Sequence, residues 1–235
     1  MKKILIVIIF SLFVSANEKT DIDKWLTYYY LQPEPNKFEI VVKELSSIGF
    51  LERKKSLAPM GGFFSVIFRG NKNKVDKWID FLVNLKENER KIFIMALYYS
   101  DIKDKYEHIK KLVKTEKEKK LLFGIKKLKF INLIDMDVIS AKTLDIHWGA
   151  FMASGDERHI YKIIDSLSFG GIKGKKPTNI LIIEETAKWS LSSNAKQHKK
   201  VLDICKYFID NPQYTTDDVN QILKNIVKKV EKNHN

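Results

Sequence analysis

The chain has 235 residues, with 44% apolar and 11% aromatic side chains, which excludes an intrinsically disordered protein. Gly and Pro together number 15, too few turn residues for a sandwich or barrel of many short strands, and a single cysteine excludes a disulfide scaffold or a multi-cysteine zinc module. The formal charge is +13, and 38 of the 42 basic residues are lysine rather than arginine, the residue preferred for bidentate phosphate recognition.

Met1-Lys2-Lys3 opens the chain and an apolar run, Ile4 to Val14, follows it, broken only by Ser11. Val14-Ser15-Ala16 then matches a signal-peptidase site, so residues 1–16 read as a secretory signal peptide. The run is shorter than the roughly 20 residues a membrane-spanning helix needs. Cleavage after Ala16 predicts an exported protein, periplasmic or extracellular. Losing Lys2 and Lys3 takes its charge from +13 to +11.

Helical spacing dominates the remainder. Asp21 can cap a first helix carrying Trp25, Leu26 and Tyr28 to Tyr30, stopped by Pro33 and Pro35. Phe38, Val41, Val42 and Leu45 form the next stripe, with Gly49 as its terminator. A third helix opens at Pro59-Met60-Gly61-Gly62 and ends at Gly70-Asn71; Val75, Trp78, Ile79 and Leu82 mark a fourth, and residues 92–99 another. Ile102 to Phe130 holds eleven lysines against four acidic residues and reads as Lys-rich helices. Lys129 to Ala141 lacks a period and reads as an ordered connection. A helix pair over 144–153 and 160–167 surrounds Gly155-Asp156, and the glycine-rich stretch 168–178 reads as a loop. Three helices close the chain over 180–191, 201–209 and 219–230, the last capped by Thr216.

Residues 63–82 align without gaps to 148–167 at an offset of 85, with Gly70/Gly155, Lys77/Lys162, Ile79/Ile164, Asp80/Asp165 and Leu82/Leu167 identical. Each copy reads as a helix, a tight Gly-Asn or Gly-Asp break and a second amphipathic helix. In this reading the glycine adopts the left-handed backbone that ends the first helix. Gly149, Gly155-Asp156, Ile160 and Leu167 resemble a tetratricopeptide-type hairpin, which implies that Gly149 lets the second helix of the pair approach. More broadly, Trp25-Leu26 with Tyr28-Tyr29 before Pro33 and Pro35, Trp148-Gly149 with Gly155-Asp156, and the run from Trp189 to Ala195 with His198 resemble exported bacterial helical proteins of unassigned function. The fold expected for residues 17–235 is therefore one all-α domain of antiparallel helical hairpins in a curved or solenoid-like array.

Candidate chemistry is sparse. Gly170 to Lys176 resembles a phosphate loop but has Phe169 where its first glycine belongs and Lys176 in place of the hydroxyl residue. His147 and His159 could meet across the Gly155 turn, with Asp145 or Asp156 nearby, as a minor hydrolase alternative; a catalytic zinc needs three held ligands. Cys205 and His198 are seven residues apart, too far along a helix for direct contact, so Cys205 reads as a buried free thiol. Ser190, Ser192, Ser193, Asn194 and His198 form a polar cluster beside Trp189, either a hydrogen-bonded corner or a small polar pocket.

No catalytic residue, metal ligand or cofactor is assigned. The leading expectation is a non-catalytic exported protein that binds a protein partner, with His147, Trp148, Phe151, Trp189, Asn194 and His198 as candidate binding residues. The alternative is electrostatic binding of an anionic envelope surface, acidic lipid or polymer, through Lys110, Lys111, Lys114, Lys117, Lys119 and Lys120. Export argues against a nucleic-acid partner, and the oligomeric state stays open.

Overall fold

The computed structural model describes residues 21–127, 132–171 and 177–232. The expected signal peptide and residues 172–176 of the glycine-rich loop lie outside the described residues. Twelve α-helices and no strands occur among those described, so the fold is all-α. Contacts group the chain into two compact units, and each is described by itself.

The first unit comprises the described residues up to Asp135 together with 145–156. Its helices are α1 (Asp21–Tyr28), α2 (Phe38–Ser47), α3 (Leu57–Gly70), α4 (Val75–Leu82), α5 (Glu87–Tyr99), α6 (Lys105–Leu112) and α7 (Glu116–Lys127), with most of α8 (Ala141–Ser154). The apolar spacing explains them: Phe38, Val41, Val42 and Leu45 of α2 are all buried, as are Val75, Trp78, Ile79 and Leu82 of α4. Gly49 ends α2 at φ +65, its N–H bonding Ser46 and that of Phe50 bonding Leu45, which satisfies carbonyls the helix end leaves open. Phe38 stacks on Trp78 with ring centroids 4.3 Å apart, and Phe64, Phe68 and Phe93 close around Phe38. Each such ring contributes about 2 kcal/mol by burial.

Helix α3 starts at Leu57, so Pro59 sits in its first turn and Gly61 and Gly62 lie inside it. Proline is tolerated there because a first-turn N–H has no helical partner. Gly62 and Gly149 line a close crossing of α3 and α8. A Cβ at Gly62 would lie 2.2 Å from the Ile146 carbonyl oxygen, and one at Gly149 would lie 1.9 Å from that of Pro59. Gly149 is thus a small residue at a helix contact, and the helix it admits is α3. Tyr28 to Tyr30 divide between core and rim: Tyr29 is buried, while Tyr30 donates its backbone N–H to the Met152 carbonyl at 3.1 Å and packs on Phe151.

The two copies of the repeat differ at their shared glycine. Gly155 has φ +64, whereas Gly70 is an ordinary last residue of α3, followed by a 3-10 turn over Lys72–Lys74. Asn71 bonds back to the Ile67 carbonyl rather than capping α4. The first copy lies within one unit. The second is divided between units after Asp156.

The second unit holds residues 136–144 and those from Glu157 onward. Its helices are α9 (Glu157–Asp165), α10 (Thr178–Gln197), α11 (Lys199–Asp210) and α12 (Asp217–Glu231). Helices α10, α11 and α12 pack mutually around Ala187, Leu191, Val201, Cys205, Leu223 and Val230, all but inaccessible. Thr216 caps α12, accepting from the Val219 N–H at 3.4 Å, and Asp217 and Asp218 occupy the positive first turn.

Candidate functional site

The six candidate binding residues separate. His147, Trp148 and Phe151 on α8 are buried in the first unit, so none of them presents a surface to a partner. Asn194 and His198 are also buried, at the α10–α11 corner. Asn194 donates its side-chain amide to the Ser190 carbonyl at 3.0 Å, and α10 continues past it to Gln197, so it neither ends α10 nor caps α11. His198 donates its backbone N–H to the Asn194 carbonyl at 2.8 Å. This half of the polar cluster is a hydrogen-bonded corner.

Trp189 behaves differently. Trp25, Trp78 and Trp148 are at most 5% exposed, while Trp189 is 47% exposed. It stands at a groove of about 580 Å³ between α10 and α12. Glu185, Lys188, Trp189, Ser192, Ser193 and Lys196 supply one wall at helical spacing, and Ile222, Asn225, Ile226 and Lys229 supply the other. The opposite face of α10, including Ile183, Ala187, Ser190, Leu191, Asn194 and Ala195, is buried in the unit core, which fixes the roll of the helix and turns Trp189 outward. Ser192 and Ser193 are short, so the wall recedes beside the indole. Farther along α10, Leu181 and Ile182 are exposed too, and extend an apolar strip toward its N-terminus.

Three lysines against one glutamate give the groove a positive balance. Lys188 bonds Glu184 at 3.0 Å and Glu185 at 2.9 Å. Burial opposes its charge, but the two carboxylates outweigh that and hold its pKa above the ordinary lysine value. The sequence pattern located the Trp189–Ser192–Ser193 wall. It missed Ile222, Asn225 and Lys229, which lie some thirty residues downstream; the outward Leu181, Ile182 and Trp189 were the available signal.

The lysine candidates are all exposed on α6, α7 and the link between them. Lys110 pairs with Glu107 at 2.6 Å, Lys119 with Glu116 at 2.6 Å and Lys111 with Asp76 at 3.3 Å. Lys114, Lys117 and Lys120 make no ion pair among the described residues.

His147 and His159 are each buried, in different units, and neither lines the groove. Among the described residues no group of three His, Cys, Asp or Glu side chains is placed to hold a metal ion. Cys205 is the buried free thiol expected, its pKa pushed up to about 12 by burial, so it is not a thiolate nucleophile near neutral pH. No helix among the described residues is long and apolar enough to cross a membrane. No protein-family model, curated protein or solved structure matches the chain.

Proposed function

We propose that this chain is an exported, non-catalytic binding protein, and that the α10/α12 groove receives an acidic amphipathic helix of a protein partner. The observation that carries this is Trp189, the one exposed tryptophan of four, at the mouth of that groove. Tryptophan is the residue type most enriched at the energetic centre of protein interfaces. The groove has the apolar floor and polar rim such a ligand needs: Ile222 and Ile226 offer apolar contact, Ser192, Ser193 and Asn225 offer hydrogen bonds, and the lysines favour acidic flanks.

The test is titration of the full chain with a set of acidic amphipathic helical peptides. Binding should shield Trp189 from iodide quenching and be lost in Ile222→Lys. Peptides that leave the quenching unchanged, or bind Ile222→Lys equally well, would overturn the assignment.

A second reading rests on a separate observation, the exposure of Lys110, Lys111, Lys114, Lys117, Lys119 and Lys120 on one stretch of the chain. In it the chain holds an anionic envelope surface electrostatically. Binding to a negatively charged matrix that falls steeply with salt, and falls again when these lysines are neutralised, is the expected result.

A further inference from the structure

The roll of α7 is fixed by one buried contact. Glu118 is inaccessible and accepts two hydrogen bonds from the Arg90 guanidinium on α5, Nε at 2.9 Å and Nη2 at 3.0 Å. The same carboxylate accepts the backbone N–H groups of Lys114 and Thr115 at 2.8 and 2.9 Å, which ties down the N-terminus of α7. Ile125, two turns on, is buried on the same side. Five residues beyond Glu118, a helix has turned by roughly 140° beyond a full turn. Phe123 therefore points outward, and it is 62% exposed.

Its nearest neighbours on that face are lysine, with Glu116 a further turn back and paired to Lys119 at 2.6 Å. Lys119 and Lys120 stand four and three residues before Phe123, and Lys126 and Lys127 three and four after, and all four are exposed. Lys127 lies over the Phe123 ring with its ammonium 4.0 Å from the centroid. An exposed aromatic ring at the centre of a lysine quartet fits a flat apolar surface bearing negative charge at its edge.

We infer that this face of α7 docks on an anionic phospholipid bilayer, with Phe123 entering the headgroup–acyl boundary and Lys119, Lys120, Lys126 and Lys127 contacting lipid phosphates. Lysine stems run along apolar material while their ammonium groups stay at phosphate level. A basic helix with an aromatic on its outer face lies in the plane of such an interface. One ring is a weak anchor, so attachment is reversible and depends on acidic lipid. The inference deepens the anionic-surface reading, on which it rests, by naming a bilayer and an anchoring residue.

The experiment is co-sedimentation of the full chain with phosphatidylcholine vesicles, with and without phosphatidylglycerol, at low and high salt. Binding should require phosphatidylglycerol and weaken about fivefold for each lysine of the quartet changed to Gln. Phe123→Ala should weaken it further with helicity by circular dichroism unchanged. Phe123→Trp should gain blue-shifted emission only with acidic vesicles. Equal binding to neutral vesicles, full binding by the quadruple Gln variant, or unmoved Phe123→Trp emission would overturn the inference. A soluble polyanion that binds as tightly as the vesicles and is indifferent to Phe123→Ala would keep the anionic-surface reading and overturn the bilayer assignment.

Discussion

Gly149 on α8 and Pro59 on α3 stand so close that a Cβ at Gly149 would lie 1.9 Å from the Pro59 carbonyl oxygen. The obstacle is backbone, which cannot swing aside as a flexible side chain can. Gly149→Ala should therefore destabilise the first unit by about 3 kcal/mol, the upper range for overpacking. Gly61→Ala is the control in α3: its Cβ would meet Met95 at 3.7 Å, ordinary contact, and helix propensity favours alanine. Urea denaturation should show a large loss for Gly149→Ala and little change or a gain for Gly61→Ala.

The same crossing explains what could be read in the sequence. Local periodicity sufficed for α2, α4 and α12, whose stripes are buried as their spacing implies, and for the Gly49 and Thr216 caps, which act on neighbouring residues. Pro59-Met60-Gly61-Gly62 marked a helix, but the need for glycine at 62 depends on Ile146 of α8, some eighty residues away. Burial of His147 and Trp148 is likewise set by tertiary packing. The groove was half legible for the same reason: one wall lies in a single stretch around Trp189, and nothing local says that α12 supplies the other.

Gly70 and Gly155 hold equivalent places in the repeat and differ in backbone, which a pair of substitutions can expose. Gly155 has φ +64, and a Cβ there would meet the Tyr30 ring at 2.8 Å. Gly70 has no positive φ, and its Cβ would meet nothing within 4 Å. Gly155→Ala should cost about 2 kcal/mol, while Gly70→Ala should be neutral or stabilising by up to about 1 kcal/mol. Thermal melts of the two variants measure the contrast. Equal losses would mean that both glycines take the left-handed turn.

The Arg90–Glu118 pair should be far costlier to break than to replace. Removing the guanidinium alone leaves a buried carboxylate without its counter-charge, so Arg90→Met should cost about 4 kcal/mol. Arg90→Met with Glu118→Gln removes the stranded charge and should recover part of that loss, a coupling that a double-mutant cycle in urea reads directly.

Two carboxyl groups give stability a maximum in pH. Burial alone would raise the Glu118 pKa, but Arg90 and the N–H groups of Lys114 and Thr115 outweigh it and hold it below the ordinary value of 4.5. Its contribution is present above that value and is lost as pH falls through the folded-state pKa. Asp145 runs the other way: burial raises its pKa from 3.8 to about 7, so the folded protein favours the protonated acid. Stability then declines as pH rises from about 4 through 7. Because Asp145 keeps some contact with solvent, the decline should be on the order of 2 kcal/mol. Melting temperature against pH should peak between these limits, and Asp145→Asn should flatten the alkaline side while leaving the acid side intact.

Trp189 provides a probe of the groove without a partner. Trp25, Trp78 and Trp148 are buried, so a collisional quencher reaches one indole of the four. Iodide should quench only the red-edge portion of the emission, and Trp189→Phe should remove that portion while changing stability by less than about 0.5 kcal/mol, as expected for a surface site. The lysines that line the groove make a further distinction. With Lys188, Lys196 and Lys229 around the indole, anionic iodide should quench more strongly than cationic caesium at low salt, and the two should converge as salt is raised. Equal quenching by both ions at low salt would show that the local field is not positive, and would remove the electrostatic basis for an acidic ligand.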